Sequence, residues 1–323
     1  MYSIIRYDES RKTAWNQAVT KSKNGTFLFY RDFMDYHSDR FADFSLMAYC
    51  KGKVVALLPA HLEGNILISH GGLTYGSLVY GTDIRLNELL TIFSSMLRFL
   101  EANQITALRL KMIPLIYHKQ PAEELDYLLF LMNAKLVRRD ALSVIDYRNP
   151  LPFTKDRRQC IRRGKAAGLE VREEALFDEF WEQLLIPNLQ AKHGIMPVHT
   201  AREMALLHSR FPENIRHFNV YNKGKLVAGT TVFVTDTVAH PQYISGQHDK
   251  NRLGSLDFLY NHLITSVFTA KAYFDFGISN EEQGRKVNRG LMFWKESFGA
   301  RTVTQDFYDV ETRNYHLLEN VLI

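Results

Sequence analysis

Apolar and polar positions repeat in the same order in the two halves of the chain. Lys51-Gly52 and Lys223-Gly224 each stand between two runs in which apolar residues alternate with polar ones. Alternation predicts strands, and a Lys-Gly pair between two strands is typical of a β-hairpin turn. Each half is therefore predicted to contain a hairpin at the same place in its sequence.

After each hairpin the pattern predicts a helix, a strand, a second helix and a final strand. In the first half these are Leu86–Glu101, Ala107–Leu110, Leu125–Asn133 and Leu136–Tyr147. In the second half they are Ser255–Lys271, Tyr273–Phe276, Arg285–Ser297 and Arg301–Tyr308. The repeated order predicts an α+β protein with two tandem domains, 1–150 and 151–323, each a mixed and mainly antiparallel sheet flanked by helices.

The length and composition are sufficient for two hydrophobic cores, and the net charge limits the kinds of ligand that are expected. The chain has 323 residues, more than one hydrophobic core usually supports, and 46% of them are hydrophobic. Its formal net charge of +5 is too small for a dedicated DNA-binding protein, which shows a concentrated basic face. The charge slightly favours anionic small molecules and permits weak contact with nucleic acid.

The two cysteines, Cys50 and Cys160, lie far apart and outside any CxxC pair, so two free thiols are expected. No histidine spacing of the zinc type is present, and no metal is expected. The first residues are too few and too polar for a signal peptide, and charges interrupt every apolar run before it could cross a bilayer. We expect a cytoplasmic protein with no membrane span.

Three segments of the second half carry a family resemblance. They are Tyr243–Gln247 followed by Arg252–Ser255, the strand Phe274–Gly277, and the run from Gly290 through Phe293-Trp294-Lys295 to Phe298-Gly299. The chain resembles the GNAT N-acetyltransferases, and its two halves resemble the tandem-GNAT FemABX aminoacyltransferases. The resemblance implies two tandem GNAT-like domains, with the acyl-donor site in the second.

The resemblance also implies an activity. A GNAT sheet splays in its middle and takes an acyl carrier into the opening, so an N-acyltransferase is expected. An amine, on an amino sugar, a sugar nucleotide or a cell-envelope precursor, would attack the acyl carbonyl directly. Acyl-CoA is the favoured donor; aminoacyl-tRNA, contacting the basic helix 155–165, is the alternative. A non-catalytic binding protein with the same fold is the second alternative.

Lys295 stands out because it lies within an apolar and aromatic run. A helix there places apolar residues on one face, with Lys295 at the rim of the face, and its ammonium could reach a cleft. A fixed cation near an acyl carbonyl stabilises the oxyanion that forms during attack. The residues that form the predicted buried stripe are Val287, Leu291, Trp294 and Phe298.

Alternation along the strand before residue 247 sends Tyr243, Ser245 and Gln247 to one face, which predicts a wet cleft. His240 falls on the other face and is interpreted as a solvated residue of an edge strand. Tyr243 would orient the carbonyl or donate a proton. Glu281, in a polar loop before the last helix, would be the general base for the amine.

The remaining site residues divide into donor-binding and acceptor-binding sets. The turn before Ser255 offers a helix N-terminus, to which Ser255 adds a cap and where a pyrophosphate could bind. The donor-binding candidates are Gln247, Arg252, Gly254, Ser255, Lys286 and Asn288. The acceptor-binding candidates are His70 and Tyr75 in a glycine-rich segment, His193, and Ser245.

Overall fold

A computed structural model describes residues 2–247 and 250–323, without the side chains of His193, Lys250 and Asn251. The chain divides into two compact units. Unit 1 consists of Met1–Asp140, Glu282–Arg285 and Thr304–Ile323. Unit 2 consists of Ala141–Glu281 and Lys286–Val303.

Strands and helices are interspersed along the whole chain. The strands, in chain order, are β1 (Tyr2–Arg6), β2 (Leu46–Cys50), β3 (Lys53–Leu58), β4 (His61–Glu63), β5 (Ile66–Ile68), β6 (Val79–Tyr80), β7 (Ala107–Lys111), β8 (Lys135–Asp146), β9 (Leu169–Glu173), β10 (Ile215–Asn222), β11 (Lys225–Val234), β12 (Val238–Gly246), β13 (Tyr273–Ile278), β14 (Asn280–Glu281), β15 (Lys286–Val287) and β16 (Arg301–Glu311). The α-helices are α1 (Lys12–Thr20), α2 (Arg31–Met34), α3 (Leu86–Ala102), α4 (Glu124–Leu131), α5 (Lys155–Ala166), α6 (Phe177–Phe180), α7 (Ile186–His193), α8 (Ala201–Arg210), α9 (Lys250–Leu253), α10 (Ser255–His262) and α11 (Arg289–Glu296). Single π-helical turns, Trp181–Leu185 and Leu263–Val267, join α6 to α7 and extend α10.

In unit 1, β1, β2, β3 and β6 form an antiparallel sheet in that order. Strands β4, β5 and β7 form a second group, in which β5 and β7 are parallel and β7 pairs antiparallel with β16. Helix α3 buries Phe93, Met96 and Leu97 completely, since apolar residues recur along it at helical spacing.

In unit 2, β8, β13, β12, β11, β10 and β9 are neighbours in that order. All neighbouring pairs are antiparallel except β12 and β13, which are parallel. The core packs the aromatic rings of Tyr260, Phe274, Phe276 and Phe298 against the sheet. The expected α+β class, with mixed and mainly antiparallel sheets flanked by helices, is confirmed.

Each compact unit contains part of a strand from the other half of the sequence, which the sequence pattern did not indicate. The C-terminal half of β8 pairs with β13 and is grouped with unit 2, whereas the end of β16 pairs with β7 and is grouped with unit 1. Strand pairing is specified by long-range hydrogen bonds, which leave no mark on local periodicity. The two compact units therefore divide within β8, near Asp140.

Most predicted elements are present close to their predicted bounds. Both hairpins turn at the Lys-Gly pairs, where Lys51, Gly52, Lys223 and Gly224 all have positive φ, the geometry of tight two-residue hairpins. The helix predicted over 285–297 begins only at Arg289. The preceding residues form the small hairpin of β14 and β15, so the helical pattern was extended too far towards the N-terminus.

Helices α5 and α10 cross at two glycines. A Cβ on Gly164 would lie 2.7 Å from Phe258 Cβ, and one on Gly254 would lie 2.3 Å from the carbonyl oxygen of Cys160. Arg157 on α5 also pairs with Asp257 on α10 inside the same contact. Among residues 2–247 and 250–323 no helix is long and apolar enough to cross a membrane.

We predict that Gly254→Ala destabilises the protein far more than Gly168→Ala. Both glycines have φ of +68°, so each alanine meets the same left-handed strain, but a Cβ on Gly168 has nothing within 4 Å. We expect Gly168→Ala to cost about 1 kcal/mol and Gly254→Ala about 3 kcal/mol or more, because overpacking is added. Urea unfolding measures both; equal costs would contradict the close helix crossing.

Buried neutral histidines predict acid sensitivity. Burial lowers the pKa of His217 and of His118 to about 4, and burial with neighbouring His37, His61 and Arg31 lowers that of His70 to about 2. The unfolded histidine, with a pKa near 6.5, binds a proton first as the pH falls. The free energy of unfolding is therefore highest above pH 6.5. It is expected to fall by about 2 kcal/mol for each such histidine between pH 7 and pH 5.

His217→Gln tests this in unit 2, where the ring packs between Phe177 and Phe180. The variant is expected to be less stable at pH 7. Between pH 7 and pH 5 its free energy of unfolding should fall by about 2 kcal/mol less than that of the parent protein. His316→Gln, at an exposed site, is the control. If the pH dependence of stability in His217→Gln equals that of the parent protein, buried neutral His217 is not a source of the acid sensitivity.

Candidate functional site

The site of interest lies where β12 and β13 separate. These parallel strands pair only at Val238 with Tyr273 and at Ala239 with Phe274. Two local features end the pairing. On β12, Pro241 has no N–H to donate to a neighbouring strand, and on β13, Gly277 adopts φ of +72° within a bulge. The sequence thus encodes a splay in the middle of the sheet of unit 2.

Lys295 meets the backbone acceptors that the splay exposes. Its Nζ donates to the carbonyl oxygens of Gly277 at 2.9 Å and of Ile278 at 2.5 Å. Nearby, the Asp275 carboxylate accepts the Gly277 N–H at 2.7 Å, which fixes the bulge. The lysine on α11 therefore holds the end of β13 in place of a neighbouring strand.

The Lys295 side chain is 2% exposed, so it lies inside the fold and not at a surface rim. Burial lowers its pKa to about 8, and the Asp275 charge partly opposes that shift. At neutral pH the group is still largely an ammonium. Two of its three N–H bonds point to carbonyls, which leaves one N–H for a further acceptor.

The predicted apolar stripe around Lys295 is only half buried. Phe298 is fully buried and Trp294 partly so, its Nε1 donating to Asp257 at 2.9 Å. Val287 and Leu291 are exposed instead. The prediction was wrong for them because Val287 belongs to β15 and Leu291 to the first turn of the shortened helix α11.

His240, interpreted from the sequence as a solvated edge residue, lies at the splay. Strand β12 is an interior strand, and the His240 side chain is 13% exposed. Its Nδ1 is 2.9 Å from the Asp275 carbonyl oxygen and 3.4 Å from the Asp275 carboxylate. The His240-Pro241 pair, opposite a strand with an Asp and a Gly, was the sequence signal for this arrangement.

The polar face of β12 is covered by the helix that runs from Trp181 to His193, so it does not form the predicted wet cleft. The Tyr243 hydroxyl is 2.5 Å from His199 Nδ1 and accepts the His199 N–H at 3.1 Å. The Ser245 hydroxyl donates to the Leu184 carbonyl, and Asn188 donates to Ser245. The Ser245 contacts attach the helix to the sheet, the Tyr243 contacts attach His199 in the loop that follows the helix, and both side chains are buried.

The hairpin of β14 and β15 holds three predicted site residues together. Glu281 and Lys286 are cross-strand partners, and Asn288 donates to Glu281 Oε1 at 3.0 Å. The Asn288 side-chain oxygen also caps α11 by accepting the Leu291 N–H at 3.0 Å. All three residues are exposed, so an amine could reach Glu281.

The predicted pyrophosphate turn is largely buried. Gly254 and Ser255 are buried, and Gly254, not Ser255, occupies the N-cap position, with no side-chain cap. The Ser255 hydroxyl makes no hydrogen bond with any described residue. Gln247 uses its side-chain N–H to bind the Leu226 carbonyl, and Arg252 is exposed on α9.

The acceptor-binding candidates of unit 1 lie inside its core. His70 stacks with His37 at 5.0 Å between ring centroids and makes no hydrogen bond through Nδ1 among the described residues. The Tyr75 hydroxyl donates to Thr26. His193 ends α7, but its side chain lies outside the described residues. No group of three metal-binding side chains occurs in the described parts of either unit.

Helix α5 presents a stripe of cations to solvent. Its members lie at spacings of three, four and three residues, on one helical face, and each is exposed without a carboxylate partner among the described residues. An open groove of about 460 Å³ with an apolar floor runs beside it. The stripe consists of Lys155, Arg158, Arg162 and Lys165, and the groove is floored by Leu151, Phe153 and Ile161.

Comparisons with known proteins agree with this geometry. Residues 153–285 match the model of the acetyltransferase (GNAT) domain, which includes β12 and β13. No functionally curated protein matches the chain significantly. The family match therefore rests on the second half of the chain.

Solved structures extend the likeness to the whole chain. FemX superimposes with a TM-score of 0.68 at 8% identity, over 98% of this chain and 99% of FemX. The C-terminal domain of a putative lysylphosphatidylglycerol synthetase from Agrobacterium fabrum gives 0.55 at 15% identity, over 81% and 83% of the two chains. A tandem GNAT protein from the clavulanic acid pathway gives 0.50 at 12% identity, over 97% and 99%. Residues 153–285 therefore resemble a GNAT acetyltransferase domain, and the whole chain shares the fold of FemX and of a tandem GNAT protein.

Proposed function

We propose that this chain transfers an activated acyl group to an amine acceptor at the splay between β12 and β13. The observation that carries the proposal is the buried ammonium of Lys295 at the end of β13, with one N–H not used by the Gly277 and Ile278 carbonyls. An acyl carbonyl lying between the two strands would accept that hydrogen bond. Such a donor stabilises the oxyanion more in the transition state than in the ground state.

The reaction would proceed by direct attack. The amine nitrogen forms a bond to the acyl carbon, the carbonyl electron pair moves to the oxygen beside Lys295, and the bond to the leaving group then breaks. Tyr243 and Glu281 are the other catalytic candidates. Because Tyr243 is bound to His199 beneath a helix, it would act by holding the sheet, whereas the exposed Glu281 is accessible to an acceptor.

The geometry favours an aminoacyl-tRNA as the donor. The α5 stripe offers four exposed cations along one helix face, and RNA phosphates would release counterions on binding there. The adjacent apolar groove offers a surface on which an unpaired base could stack against Phe153. The fold likeness to FemX and to a lysylphosphatidylglycerol synthetase domain is consistent with transfer of an aminoacyl group.

Acyl-CoA is the second candidate donor, and the uncapped N-terminus of α10 is the observation in its favour. Against it, Gly254 and Ser255 are buried and the Cys160 carbonyl closely approaches Gly254, so the first N–H groups of α10 are shielded. Gln247, Arg252, Lys286 and Asn288 would contact either donor near the splay. We propose an amino sugar, a sugar nucleotide or an envelope precursor as the acceptor.

Lys295→Met is expected to lower kcat/KM for acyl transfer by tenfold or more, because an oxyanion contact is lost. Transfer is measured with radiolabelled aminoacyl-tRNA or acetyl-CoA and a UDP-linked amino sugar that has a free amine. Lys271→Met is the matched control, since Lys271 also donates to a backbone carbonyl, that of Thr235, away from the splay.

Thermal unfolding of both variants separates catalysis from folding. If Lys295→Met does not fold, Lys295→Arg keeps the charge and moves it, and a similar rate loss is expected there. A rate within threefold of the parent protein in a folded Lys295 variant would remove this lysine from the site.

The paired substitution Arg158→Glu with Arg162→Glu is expected to weaken tRNA binding by tenfold or more at about 0.1 M salt. The slope of log Kd against log salt should also fall, by about one for each lost phosphate contact. Fluorescence anisotropy of labelled tRNA measures both quantities. Arg172→Glu, an exposed arginine of the same unit that is already paired with Glu170, is the control.

Two experimental outcomes would change the proposed donor. Unaltered tRNA affinity in the paired variant would exclude the α5 stripe as a tRNA site. Saturable acetyl-CoA binding by calorimetry, together with no transfer from aminoacyl-tRNA, would establish the second candidate in its place.

A further inference from the structure

We infer that His240, in place of the exposed Glu281 expected from the sequence, is the general base that accepts the proton of the attacking amine, with Asp275 as its positioning partner; this inference rests on the proposed acyl transfer. Neither His240 nor Asp275 was among the site residues expected from the sequence. Three features support this role: the tautomer of the ring, its contact with Asp275, and its place on the same bulge as Lys295.

The surroundings of His240 fix which ring nitrogen carries the proton. Nδ1 faces two acceptors, the carbonyl oxygen of Asp275 at 2.9 Å and the carboxylate of Asp275 at 3.4 Å. A nitrogen between two acceptors must be the protonated one, so the neutral ring has its lone pair on Nε2. Nε2 makes no hydrogen bond with a described residue and is therefore available as a base.

Asp275 gives the ring both orientation and charge. The carboxylate is 1% exposed and is itself held by the Gly277 N–H. When Nε2 takes up a proton, the buried carboxylate next to Nδ1 stabilises the imidazolium that forms. An aspartate has the same effect on the histidine of a Ser-His-Asp triad. The charge of Lys295 also interacts with the Asp275 carboxylate, and the neighbour of His240 on β11 is Phe233.

The bulge of β13 contacts both the proposed base and the cation. Asp275 binds His240, and Gly277 and Ile278, which follow closely on the same strand, bind Lys295. His240 Cε1 also lies close to the Gly277 backbone, where a Cβ would come within 3.0 Å of it. The end of one short strand therefore binds both the proposed proton acceptor and the proposed oxyanion donor.

The proposed step balances without any further reactant. The amine forms a C–N bond to the acyl carbon, the carbonyl pair moves to the oxygen near Lys295, and His240 Nε2 takes one amine proton. The intermediate then collapses, the C–O bond to the ribose of the donor breaks, and the imidazolium returns its proton to that oxygen. An ester and an amine give an amide and an alcohol.

His240→Asn is the most informative variant, because an asparagine side-chain N–H can replace Nδ1–H in the bond to the Asp275 carbonyl while no base remains. We expect kcat/KM to fall about a hundredfold, with tRNA affinity and thermal midpoint unchanged. His262→Asn, at a half-buried histidine of the same unit, should keep the rate of the parent protein.

A second variant guards against a folding defect. His240→Ala should be slow, and added imidazole should restore its rate in proportion to imidazole concentration. A His240→Asn rate within threefold of the parent protein, or the absence of any rescue by imidazole in His240→Ala, would overturn the base assignment while the acyl transfer stands. If the parent protein transfers from neither donor, the proposed function fails and this inference fails with it.

Discussion

The hydrogen bonds from Lys295 to the carbonyls of Gly277 and Ile278 hold the opening of the sheet in unit 2, and the proposed chemistry depends on them. A strand that leaves its neighbour inside a sheet exposes backbone acceptors, and unsatisfied buried acceptors are costly. An ammonium meets that need with two of its three N–H bonds. The same arrangement places a positive charge at the opening of the sheet, so the interaction that stabilises the splay also prepares it for a developing oxyanion.

The surrounding elements serve this opening in different ways. Pro241 and Gly277 end the pairing of β12 with β13, and the aromatic core beneath them keeps α11 close enough for Lys295 to reach the bulge. The close crossing of α5 and α10 at Gly164 and Gly254 buries the α10 N-terminus. That burial is the structural reason why a polyanionic donor held by the exposed face of α5 is favoured over a pyrophosphate held at the α10 N-terminus.

Local patterns predicted the repeated elements well, since hairpin turns and amphipathic helices are encoded over a few residues: α3 was predicted within a residue of its end and both Lys-Gly turns are present. The pairings of β8 with β13 and of β16 with β7 join strands more than a hundred residues apart, so the local sequence pattern did not predict them. Lys295 was found because a charge in an aromatic run is unusual. His240 was missed because its importance lies in Asp275, on another strand, and Tyr243 and Ser245 looked accessible because the covering helix is remote in sequence.

The most direct measurement is a crystal structure of the protein with a non-hydrolysable aminoacyl-adenosine, in which an amide replaces the ester of the donor. We expect the aminoacyl carbonyl to lie between β12 and β13, with its oxygen within about 3 Å of Lys295 Nζ. Binding of the analogue elsewhere on the protein, with Lys295 contacting only the Gly277 and Ile278 carbonyls, would contradict the proposed role of the splay.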